Sequence, residues 1–121
     1  MALCLTGGML LSLQHDDLDA RALALHRRVA RRLRDDPALF ERARATLGRW
    51  LETADPATHP YLLTWQALMA QGMAAALAVA EEDSPRARVL RQASPFAGLL
   101  SHKERFAVLK HWREQRQHAA S

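Results

Sequence analysis

The chain contains no isoleucine and only four valines among its 121 residues, so it lacks the β-branched side chains that favour buried strands. Ala, Leu and Arg dominate instead, and these are among the strongest helix formers. The expected fold class is therefore all-α, a compact bundle of four to five helices. A chain of this length can bury roughly two thirds of the surface it exposes when unfolded, enough for a core without covalent staples. It also falls within the range of one domain. Residues 16–118 are read as a single helical domain and residues 1–15 as a short leader outside it.

The leader is apolar, with Gly7 and Gly8 in its middle. It is too short to span a bilayer and lacks the positive n-region of a secretory signal, so no membrane role is expected. Three readings of it stay open: a disordered leader, a short strand packed on the domain or on a partner, and a misplaced start with Met9 as the true beginning. The single cysteine, Cys4, excludes an internal disulfide and any zinc site of several thiolates, which suits a reducing cytoplasm. The six histidines have neither H-E-x-x-H nor zinc-finger spacing, so no metal or cofactor is expected.

Helical periodicity begins after Asp16-Asp17, with Leu18, Ala22, Leu25, Val29 and Leu33 on one stripe. The outer faces of that helix carry Arg21, Arg27, Arg28, Arg31, Arg32 and Arg34. Asp36-Pro37 restarts the chain: the aspartate can cap, and proline fits a first helical turn. The second helix runs to about residue 52 with Phe40, Ala43, Leu47, Trp50 and Leu51 facing inward. A third helix over about 60–82 is apolar around most of its circumference, which predicts the central position, with Gly72 allowing a neighbour to approach closely. Ser84-Pro85 opens a short helix, and Ser94-Pro95 a single turn that Gly98 ends in a left-handed conformation. Ser101 and Glu104 form an S-x-x-E capping box for a last helix to about 117, with Phe106, Leu109 and Trp112 inward. Trp50, Trp65 and Trp112 are all expected in the core.

Catalytic constellations are scarce. The paired carboxylates Asp16-Asp17, Asp35-Asp36 and Glu81-Glu82 lie at helix ends and point apart, Cys4 has no histidine at fixed spacing, and Gly7-Gly8 lacks the lysine of a phosphate loop. The expectation is a protein that binds rather than an enzyme. Charge is distributed unevenly: residues 16–36 are nearly balanced, residues 37–83 carry a net of −3, and residues 84–121 a net of +6.

Residues 91–105 pack unusual local chemistry into one corner: R-Q-x-S-P-F-x-G-x-L-x-x-x-E-R, following an Arg-rich helix and a P-x-L helix. Over most of residues 20–113 this pattern resembles small uncharacterised bacterial antitoxin-like proteins, often encoded beside toxin-like or nuclease-like genes. The resemblance implies a protein-binding module that occludes the site of a partner encoded nearby. The candidate partner-binding residues are Arg88, Arg91, Ser94, Pro95, Phe96, Gly98 and Arg105. Arginine forks would pair with carboxylates, and Phe96, where exposed, would be the anchor; a well-packed corner with Phe96 in the core is the competing reading. The alternative function is a small DNA- or RNA-binding regulator using the basic carboxyl third, with Lys103, Arg105, Lys110 and Arg113 as contacts. Against it stand a long connection between the last two helices and a lack of interleaved aromatic and basic residues. Self-association is compatible with an Ala-rich bundle.

Overall fold

The structure, a computed structural model, describes the backbone of residues 2–120 and the side chains of residues 17–117. The described residues form six α-helices and one 3₁₀ turn, with no strand. They are α1 (Ala2–Asp35), α2 (Leu39–Thr53), α3 (His59–Gln71), α4 (Met73–Ala80), α5 (Pro85–Arg91), the 3₁₀ turn Ala97–Leu99, and α6 (His102–Ala120). No described helix is long and apolar enough to cross a membrane. The expectations for the side chains of residues 1–15, Cys4 included, lie outside the described residues.

The local stop and start signals operate where they are strongest. Ser84 Oγ accepts a hydrogen bond from the Ala87 amide at 3.2 Å, so α5 begins on a serine cap followed by proline. At α6 both halves of the capping box are made: Ser101 Oγ accepts from the Glu104 amide at 3.1 Å, and Glu104 Oε1 accepts from the Ser101 amide at 3.3 Å. Ser101→Ala removes the first of these and is expected to lower stability by about 1 kcal/mol, a few degrees in Tm by thermal melt. An unchanged melt would show that the ties of Glu104 to α1 hold this helix start without the cap.

Several elements depart from the sequence expectation. Asp16-Asp17 does not begin the first helix, because α1 spans Ala2–Asp35; Asp17 instead forms an ion pair with Arg116 of α6. Asp36 does not cap α2 through its side chain. Its carbonyl accepts from the Leu39 amide at 3.1 Å, giving a turn over Pro37 and Ala38 before the helix proper. The expected third helix is two, α3 and α4, broken at Gly72. That residue sits at φ 125°, a backbone that L side chains rarely adopt. A Cβ placed there would meet nothing within 4 Å, so conformation rather than close packing requires glycine. Gly98 has no left-handed conformation and simply lies within the 3₁₀ turn.

The core collects Val29, Ala30 and Leu33 of α1, Phe40, Ala43 and Leu47 of α2, Leu62, Trp65 and Met69 of α3, Ala76, Leu77 and Ala80 of α4, and Phe96 and Leu100 beyond α5. Buried alanines, Ala30 on α1, Ala76 and Ala80 on α4 and Ala87 on α5, let these three helices sit close together. Because α1 packs on α4, α5, α6 and the 3₁₀ turn, it holds more neighbours than α3, which packs on α2 and α4. Three inward assignments fail outright, and Trp112 and Leu109 are only half-buried and lie outside the core. Trp50 is 38% exposed, because Leu47 takes the core position and Leu51 packs against it; Phe106 is 63% exposed. Leu18, expected on the inward stripe of α1, is likewise exposed, and Leu23, His26 and Ala30 bury instead.

Candidate functional site

On α1 the residues Ala20, Leu23, Ala24, Arg27, Arg28 and Arg31 recur at spacings of three and four, and so share one face. On α6 the same is true of Ala107, Val108, His111, Trp112 and Gln115. The two faces meet, with the alanines Ala20, Ala24 and Ala107 set among the larger side chains of the seam. The helices leave an open groove of about 570 Å³ with a largely apolar floor. Its α1 edge is a row of guanidinium groups, and its α6 edge carries an imidazole and an indole.

The electrostatics of the two edges differ. Arg28 and Arg32 both face Glu104, at 3.6 and 2.9 Å. Desolvation pushes the Glu104 carboxyl up, but the Ser101 amide and hydroxyl together with the charges of Arg32 and Arg28 outweigh it and hold the group below its ordinary range. This cluster locks α6 onto α1 at one end of the groove. At the other, the Trp112 ring lies beside two cations, with the Arg21 guanidinium 6.0 Å and that of Arg116 5.0 Å from its centre. Between them Arg27 and Arg31 are exposed and have no acidic partner among the described residues. The groove thus combines a largely apolar floor with two arginines that have no acidic partner among the described residues. No group of three His, Cys, Asp or Glu side chains among the described residues is placed to hold a metal ion.

The corner at 91–105 is built differently from a binding surface. Phe96 is fully buried, 6.4 Å from Phe40 in a stacked arrangement and 5.5 Å from Trp65 edge-on. Pro95 is buried beside it. Ser94 is also buried and accepts from the Phe96 amide at 3.1 Å. Arg91, buried as well, donates to the carbonyls of Ala80 at 3.2 Å and Glu82 at 2.6 Å, closing the end of α4 onto α5. Arg88 is exposed but pairs with Asp83 at 3.3 Å, and Arg105 donates to the Ala97 carbonyl at 2.9 Å. Of the seven candidate partner-binding residues, only Gly98 lies open and unengaged, beside Trp50. Phe96 cannot act as an exposed anchor, because the proline and serine that shape the corner turn its ring inward.

The candidate nucleic-acid contacts divide. Lys103, Lys110 and Arg113 are exposed on α6, whereas Arg105 is half-buried and occupied by its carbonyl. The residues that sequence reasoning passed over are Arg27, Arg28 and Arg31 with His111 and Trp112. Their only signal was the shared spacing on each helix, and nothing local says that the two faces meet. No family model, curated protein or solved structure matches the chain.

Proposed function

We propose that this chain is a protein-binding module whose partner seats an acidic, amphipathic segment in the groove between α1 and α6. The carrying observation is the pairing of an apolar floor, Leu23 with Ala20, Ala24 and Val108, with two arginines that have no acidic partner among the described residues. Apolar side chains of a helix laid along α1 would enter the groove, and its carboxylates would meet Arg27 and Arg31. Guanidinium forks suit carboxylates better than lysine does. The groove extends over about 16 Å of α1, the length of three helical turns. The antitoxin-like resemblance supports a toxin-like or nuclease-like partner whose own site the bound module would cover. The interacting surface in this reading is the α1/α6 groove, and the 91–105 corner supports it from behind as a rigid part of the core.

The test is a pull-down with the tagged chain at about 150 mM salt, where charges are screened beyond roughly 8 Å. It is run with and without nuclease, beside two variants. Arg27→Glu with Arg31→Glu reverses the free charges, and Ala24→Trp fills the groove without touching them. A stoichiometric protein that survives nuclease is expected, retained at least about tenfold less by either variant. In the purified complex, hydrogen exchange should slow at residues 20–31 and 107–115. Equal retention by wild type and both variants would remove the groove from the binding surface.

A further inference from the structure

Residues 103, 106, 110, 113 and 117 fall within a sector of about 80° around α6 when each residue turns the helix by about 100°. In this chain they are Lys103, Phe106, Lys110, Arg113 and Gln117, and all five are exposed. The sector lies on the side of α6 opposite Trp112 and Arg105, which face α1 and the 3₁₀ turn. Lys103 and Lys110 have no partner among the described residues, and Arg113 reaches only the Leu109 carbonyl of its own helix, at 3.4 Å. Between these cations stands Phe106, 63% exposed, the most exposed of the large apolar side chains in the described residues. An aromatic ring does interleave with basic residues on this face, contrary to the sequence expectation that placed it inward. Glu104, which would neutralise the first turn, is drawn away by Arg28 and Arg32; Glu114 borders the sector at its far end.

We infer that this outer face of α6 binds single-stranded nucleic acid, with Phe106 as a stacking platform and Lys103, Lys110 and Arg113 on the phosphates. An aromatic ring left in water costs apolar exposure, and flanking cations give it neither cover nor a hydrogen bond. An unpaired base has an apolar face for the ring and carries a phosphate on either side for the cations. A duplex offers the charge but not the face, since its bases are already stacked. An acidic protein segment would match the lysines but leave the ring's position between them unexplained. The sector from Lys103 to Arg113 is about 15 Å long, which limits the site to a few nucleotides. It is separate from the α1/α6 groove, so the two can be occupied together.

The experiment is fluorescence anisotropy of the full chain with labelled oligo-dT and oligo-rU of about 15 nucleotides, and with a duplex of the same length, over a salt series. Both single strands are expected to bind more tightly than the duplex. Phe106→Ala should weaken them at least about fivefold, and Phe106→Trp should restore or strengthen binding. Lys103→Gln with Lys110→Gln and Arg113→Gln should reduce the slope of log K against log salt by about 2, near 0.7 for each cation. Since all four side chains are exposed, these variants should melt as the wild type does. The proposal is overturned by Phe106→Ala binding as tightly as Phe106→Trp, by preference for the duplex, or by an unaltered slope in the triple variant. It is also overturned if light scattering shows a dimer that Phe106→Ala dissociates, for then a second copy covers the face.

Discussion

Trp65→Ala is expected to lower the free energy of unfolding by about 3–5 kcal/mol, the range for truncating a large buried aromatic that leaves a cavity. Trp65 is fully buried on α3, and its indole N–H donates to the Leu90 carbonyl of α5 at 2.8 Å. Its ring meets the edge of Phe96 at 5.5 Å, and Phe96 in turn stacks on Phe40 of α2. Trp65 and Phe96 together therefore join α2, α3, α5 and the corner after it. Trp65→Phe separates the two contributions: most of the apolar contact survives, while the Leu90 carbonyl loses its donor, for a smaller loss of about 1–3 kcal/mol. Urea unfolding with an unchanged m-value reads both. A double-mutant cycle with Phe96→Ala should return a coupling of about 0.5–1.5 kcal/mol, the contribution of an edge-on aromatic pair beyond area burial. A loss below about 1 kcal/mol for Trp65→Ala would mean that the α3–α5 junction is not the core of this molecule. The same cycle separates the two readings of Phe96, since an exposed hot spot would change affinity and leave unfolding nearly untouched.

What could be read in advance was local. A serine before a proline, or a serine three residues before a glutamate, specifies its own hydrogen bonds whatever the rest of the chain does. Both the Ser84 cap and the Ser101–Glu104 box accordingly form where expected. Periodicity likewise announces that α2 and α6 each have an inward face, but neighbouring stripes differ by only 40–60° of rotation or so, and the partner element chooses between them. On α6 the choice is made by Glu104, which reaches Arg32 across 72 residues of sequence and turns Phe106 outward. On α2 it is made by Leu47 and Leu51, which leave Trp50 at the rim. Gly72 shows the opposite failure: the apolar pattern continues across it without a break, so the change of direction is invisible until α4 must return to α1. The groove was unreadable for the same reason as the faces. It exists only because two stripes, from helices at opposite ends of the described chain, are laid together.

Stability should fall as pH drops from about 6.5 to about 4, by about 3 kcal/mol in total, because of His26. This residue sits on the core face of α1, 3% exposed, in a position that the periodicity of the helix would give to an apolar side chain. Its Nδ1 lies 2.7 Å from the Ala22 carbonyl. A carbonyl only accepts, so Nδ1 carries the hydrogen, and Nε2 presents a lone pair that has no partner among the described residues. Desolvation is the largest influence on the ring. The Ala22 carbonyl favours the charged form, but the Arg91 and Arg105 guanidinium groups oppose it, and the pKa is lowered from 6.5 to about 4. The unfolded chain therefore binds a proton across this interval that the folded chain refuses, and each pH unit favours unfolding by about 1.4 kcal/mol. Above about 6.5 the contribution is fully present, and below about 4 it is lost. Asp55, Glu82 and Glu104 act with the same sign, since hydrogen bonds and arginine charges hold their carboxyls below ordinary values. Their effect belongs to a more acidic range, beneath 4.5, so the upper part of the interval isolates the histidine. Urea unfolding at successive pH values should show the slope in wild type and lose it between about 6.5 and 4.5 in His26→Leu, whose side chain fills similar space without titrating. A slope that persists in the variant would assign the acid sensitivity to groups other than this ring, and would mean that water or a rearranged Arg91 reaches Nε2 in solution.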